Sequence, residues 1–126
     1  LTHGGRIRFS CAYKRPSDAD TSKWVIEAYF HTDWFHPSSF IVHPLPVALD
    51  LASLYEHLIR RHLPLPPRSG ESIRDHVARY TAIQLKEKEW QQMEARLNRE
   101  KQFNRKVEMN ATLRSLRAEL DSLHSA

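Results

Sequence analysis

The chain has 126 residues, a formal net charge of +4, 40% hydrophobic, 10% aromatic and 27% charged residues. Such a chain folds around one modest core with much exposed helix surface, which excludes both a disordered segment and two independent cores. The longest apolar runs fall well short of the ~18–20 residues a bilayer-spanning helix needs, and residues 1–10 (LTHGGRIRFS) lack a signal-peptide core, so a cytoplasmic chain with no membrane partner is expected.

The chain opens on Leu and a Gly-Gly turn, and an amino-terminal part of a larger protein is expected to precede it. Residues 6–35 read as two strands of an antiparallel hairpin. RIRFSCAY alternates Ile7, Phe9, Cys11 and Tyr13 with polar or small residues, and KWVIEAYFHTDWF is β-branched and aromatic. KRPSDADTSK between them carries turn chemistry. On the second strand Trp24, Ile26, Ala28 and Phe30 are assigned to the buried face, and Val25, Tyr29 and His31 to the other. One hairpin alone is marginal, so it is expected to be the remnant of a larger sheet and to need a helix over it. The single cysteine, Cys11, cannot form an intrachain disulfide and reads as a small buried residue.

HPSSFIVHPLP follows, in which Pro37, Pro44 and Pro46 oppose regular structure. Residues 47–63 then read as one short helix, with Leu51, Leu54, Tyr55, Leu58 and Ile59 on the packing face and Glu56, His57, Arg60 and Arg61 nearer water. PLPPRSG, with three prolines and a glycine, reads as an exposed linker. The expected organisation is a sheet-plus-helix portion over 1–63, a linker over 64–70 and a two-helix coiled-coil arm over 71–126.

In that last part Ile73, Val77, Tyr80, Ile83, Trp90, Met93 and Leu97 recur at steps of three, four or seven. Leu113, Leu116, Leu120 and Leu123 repeat a coiled-coil spacing for barely two heptads, and Lys86 and Lys106 enter the seam. The seam needs a partner segment. Either 71–123 is one rod of roughly 80 Å that dimerises, or the chain reverses between Asn98 and Asn104. In the hairpin, the favoured form, Asn104 caps a helix and Phe103 plugs the elbow. Residues 97–110 (LNREKQFNRKVEMN) hold that elbow, and over 96–106 Arg96, Arg99, Lys101, Arg105 and Lys106 face only Glu100.

Chemistry-bearing signatures are scarce. Three glycines, none in a G-x-x-x-x-G-K context, encode no phosphate loop. His31, Asp33 and His36 lie close in sequence, but His57 and His62 are five positions apart and point away from each other on a helix, so no metal site is expected. VIEAYF supplies Glu27 without the Lys two places on that a restriction-type nuclease needs. Trp24, Phe30, Trp34 and Phe35 have the chemistry to stack on bases, although such residues more often build core. No catalytic residue and no cofactor is read from this segment.

YFHTDWF, LPVALDLASLYEHLIRRHLPL and above all REKQFNRKVEMNATLRSLRAEL, with Lys101, Phe103, Asn104, Val107 and Asn110, resemble the carboxy-terminal half of an uncharacterised bacterial and archaeal family, the domain-of-unknown-function family four-three-nine-one. The resemblance covers residues 6–123. It implies a longer protein and, through methyltransferase and helicase gene neighbours, a DNA-processing, restriction-like defence setting; it carries over no catalytic residue. The expected fold is α+β, a β-hairpin packed on a short helix and followed by a helical hairpin. The expected function is an interaction or assembly subunit that docks a protein partner or a second copy through Trp90, Met93, Leu97, Phe103, Leu113, Leu116 and Leu120. A nucleic-acid-binding accessory using Arg96, Arg99, Lys101, Arg105 and Lys106 on DNA is the alternative, and an enzyme with upstream catalytic residues is a third.

Overall fold

Gly4 and Gly5, at φ of +55° and +73°, turn the chain between β1 (Thr2–His3) and β2 (Arg6–Ile7), a conformation that only glycine adopts without strain. Residues 1–39 and 45–125 are described by the computed structural model of the chain; the expectation for Pro44 lies outside them. Ile7 is thereby drawn out of the long strand in which it was expected. It pairs with Thr2 and bridges to Phe35, with N–H to carbonyl distances of 2.8 and 3.0 Å.

The long hairpin consists of β3 (Ser10–Pro16) and β4 (Trp24–His31). Cys11 lies opposite Phe30 and Tyr13 opposite Ala28, so these four share one face. Tyr13 and Phe30 are buried on it. Beyond Tyr13 the register shifts, Lys14 meeting Ile26, so that β4 carries one extra residue, Glu27. A bulge breaks the two-residue alternation. Trp24 and Ile26, expected on the buried face, are 67% and 44% exposed for that reason. Pro37 does not exclude regular structure but opens one 3-10 turn, Pro37–Ser39.

The helix expected over 47–63 is shorter: α1 runs Leu51–His62, because the Asp50 carboxylate accepts the Ser53 N–H at 2.6 Å and starts the helix there. Leu51, expected on the packing face, is exposed, whereas Leu54 and Leu58 are half-buried and Ile59 is buried. α1 packs on β3 and β4. Tyr55 locks that packing: its hydroxyl donates to the Ala12 carbonyl at 2.9 Å and accepts the Lys14 N–H at 2.8 Å, and its ring stacks on Tyr13.

In place of the one core expected from length, the chain divides into two compact units, Leu1–Pro64 and Leu65–Ala126, each with its own buried apolar residues. In the second, α2 (Ile73–Arg99) and α3 (Phe103–His124) form an antiparallel helical hairpin. Ser72 caps α2, its hydroxyl accepting the Asp75 N–H. Of residues 64–70, expected as an exposed linker, 65–70 belong to this unit: Pro66, Pro67, Ser69 and Gly70 are exposed, but Leu65 is buried and the segment is hydrogen-bonded to both helices. The architecture is α+β, with two two-stranded antiparallel sheets and three helices among the described residues.

Replacing Tyr55 by Phe keeps the ring stack and removes both hydroxyl bonds. It is expected to lower unfolding free energy by about 1–2 kcal/mol, measured by urea denaturation; an unchanged midpoint would show that the hydroxyl does not hold α1 to the sheet.

Candidate functional site

The helical hairpin is built differently at its two ends. Away from the turn, Arg79 is 6% exposed. Its Nε donates to Glu71 Oε1 at 2.7 Å and its Nη2 to Glu71 Oε2 at 2.9 Å; Nη2 also reaches the Pro66 carbonyl and Nη1 the Leu123 carbonyl. Arg68 donates to the carbonyls of Ser122, Leu123 and Ser125. Two guanidinium groups therefore satisfy the last carbonyls of α3, where a helix leaves acceptors unpaired and cations are favoured. Gly70, at φ +74°, makes the turn that lets the Glu71 carboxylate accept the Arg68 N–H at 2.9 Å. The Arg79 guanidinium holds the Glu71 carboxyl down to about 2. Fully buried His76 donates from Nε2 to the Leu65 carbonyl.

Beside this polar cluster lies the hydrophobic centre of the unit, with Val77, Ile83 and Leu116 buried. From Gln84 to Ser115 no described residue is buried. Of the apolar contacts expected from sequence, Trp90, Met93, Leu97, Leu113 and Leu120 are half-buried, Leu116 is buried and Phe103 is 78% exposed. Lys86, which enters the seam, reaches across to Glu119 at 2.8 Å. That bond, with Glu89 as a second carboxylate, pushes the Lys86 ammonium up. Trp90 and Leu120 line an open groove with Glu87, Gln91, Arg117 and Asp121.

The reversal occupies residues 100–102. Neither expected elbow device is used. Asn104 lies inside α3, whose cap is Gln102 without a side-chain bond, and Phe103 points its bulk to solvent instead of plugging the turn. The Glu100 carboxylate instead accepts the N–H groups of Lys101 and Gln102 at 2.8 and 2.9 Å, which holds its carboxyl below the usual range. Arg96, Arg99, Lys101 and Arg105 are exposed and Lys106 is half-buried around this turn. The hairpin thus brings all five expected cations to one end, together with exposed Val107.

The four aromatics considered for stacking are dispersed. Phe30 is core, Phe35 lies against Phe9, Trp34 is covered by the Arg8 guanidinium at 4.7 Å, and Trp24 is exposed. His31 and His36 bond to Ser10 and Ser38, and among the described residues no group of three His, Cys, Asp or Glu could hold a metal ion. Burial pushes the Cys11 thiol up, away from thiolate character. The cluster of Glu71, Arg79, Arg68 and His76 was missed, although His76 and Arg79 fall at helical spacing with Tyr80 and Ile83. A cation on an apolar stripe signals a buried ion pair.

A family model described as Domain of unknown function (DUF4391) matches residues 1–120. No curated protein and no solved structure matches the chain. No helix among the described residues is long and apolar enough to cross a membrane.

Arg79→Met, which strands the Glu71 carboxylate, is expected to cost about 3–5 kcal/mol of unfolding free energy, read by denaturant melting of the helical signal. The folded Glu71 value, about 2, lies below the ordinary 4.5. The pair's contribution is therefore complete above pH 4.5 and is lost as pH falls towards 2. Melting temperature should drop through that window in the parent chain, and Glu71→Gln should remove this part of the drop.

Proposed function

The chain belongs to the family described as Domain of unknown function (DUF4391), and from that premise we propose that it is a non-enzymatic interaction and assembly subunit that docks a protein partner through its helical hairpin. One observation carries the reading: both helices run on through residues 84–115 without burying a side chain. Two helices leaning on each other through half-buried Trp90, Met93, Leu97 and Leu113 cover only one side of each apolar stripe. A third helical surface would complete the packing, and a second copy of the same hairpin has the matching stripe. The seam then continues as a coiled coil across the interface. Trp90 is the central anchor, since a large aromatic beside a groove concentrates binding energy. Leu97, Leu113 and Leu120 flank it, Leu116 backs it from inside the hairpin, and Phe103 extends the apolar surface to the turn. A cytoplasmic, DNA-processing setting of the restriction-like kind is part of this reading, resting on the family resemblance.

Light scattering over a concentration series should give a mass that rises to a dimer. Trp90→Glu combined with Leu97→Glu should return the mass to a monomer while the circular-dichroism helix signal is retained. A parent chain that stays monomeric throughout would overturn docking by a second copy.

A further inference from the structure

We propose that the turn end of the helical hairpin is a binding tip for single-stranded nucleic acid, with Arg96, Arg99, Lys101 and Lys106 holding phosphates and Phe103 stacking on a base. This goes beyond assembly through the seam and, Phe103 apart, uses different groups. The charged heads of these four residues make no hydrogen bond or ion pair among the described residues; Arg105 reaches Glu100 at 3.8 Å, and Lys106 lies near enough to feel the same carboxylate. Arg96, Arg99 and Lys101, with Lys106 partly offset by Glu100, are held on a three-residue turn and the two helix ends beside it and make a concentrated positive potential. Glu100, the one acidic residue of the turn, spends its carboxylate inward on the N–H groups of Lys101 and Gln102. Its remaining charge offsets Arg105 and part of Lys106, and leaves the other cations in excess.

Two more features point to nucleic acid rather than to an acidic protein. α3 has no acidic residue in its first turn and no side-chain cap, so its leading N–H groups add to the same field. Phe103 is 78% exposed directly beside the cations. A flat aromatic set among phosphate-binding groups is the arrangement by which proteins grip an unpaired base, whose face is offered only by a single strand. The charges lie around an end, not along a helix face, which suits a flexible backbone bending over the tip better than a straight duplex.

The test is fluorescence anisotropy with a labelled oligothymidine of about twenty nucleotides, a matched duplex, and polyglutamate, over a salt series. The single strand should bind with a log–log salt slope of about −3, four phosphates contributing roughly −0.7 each. Reversing all four cations (R96E, R99E, K101E and K106E) should weaken binding about a hundred-fold. Phe103→Ala should weaken it about ten-fold with the slope unchanged; its exposure makes loss of fold an unneeded explanation, and circular dichroism checks both variants. Salt-independent binding, indifference to the charge reversals, or polyglutamate bound as tightly with Phe103→Ala neutral would each overturn the proposal. So would a duplex preferred over the single strand. Solution mass is read separately, so this proposal and the assembly reading can fail independently.

Discussion

A guanidinium removed from water must find oxygen for its N–H groups, and Arg79 finds it on Glu71, Pro66 and Leu123. Everything in the second unit is arranged around that requirement. The segment from Leu65 to Glu71 has to fold back over the start of α2, because it supplies both the carboxylate and a carbonyl. The end of α3 has to arrive at the same place, because it supplies another. Arg68 repeats the demand on Ser122 and Ser125. The length of the hairpin follows: with the start of α2 and the end of α3 joined, the chain has to reverse near its midpoint, which is where Glu100 orders the turn.

Stability and surface are distributed accordingly. Burial is concentrated beside the polar cluster, at Val77, Ile83 and Leu116, and thins towards residues 100–102. Helices with so little buried contact hold together by their shared register and by cross-links such as Lys86 with Glu119, so their opening free energy is expected to be lower than that of the packed end. The turn end carries the exposed apolar and basic side chains. A hairpin anchored firmly at one end and lightly packed at the other can open at the second end at lower cost than at the first.

The hairpin, the two strands and the α+β class were legible in the sequence because periodicity of apolar residues reports which faces are buried. What escaped reading is physical in each case. The β4 bulge at Glu27 depends on cross-strand geometry, and no local pattern announces the place where Trp24 and Ile26 leave the buried face. α1 begins at Leu51, after the Asp50 cap, and not at Val47 because a short-range cap outweighs the apolar run before it. The turn at 100–102 was placed correctly, but it is ordered by Glu100, whose carboxylate takes the N–H groups of Lys101 and Gln102, while Asn104 lies inside α3, which has no side-chain cap. Of the expected surface residues, the cations were collected by the reversal of the chain, and Phe103 was left outside. The Glu71 and Arg79 pair was hidden because eight positions separate its members and prolines nearby read as a linker.

Both guanidinium groups at the closed end address main-chain oxygens at the end of α3, at Ser122 and Leu123 and at the capping residue Ser125. The exposed side chains at Ser122 and Ser125 are consequently free to drift, since any residue offers the same carbonyl. The number of residues between the turn and that end is not free. One inserted or deleted residue anywhere in α3 rotates the terminal carbonyls by about 100° and shifts them by about 1.5 Å, away from donors that cannot follow. Descendants of this chain can therefore accumulate point changes along α3 far more readily than changes in its length.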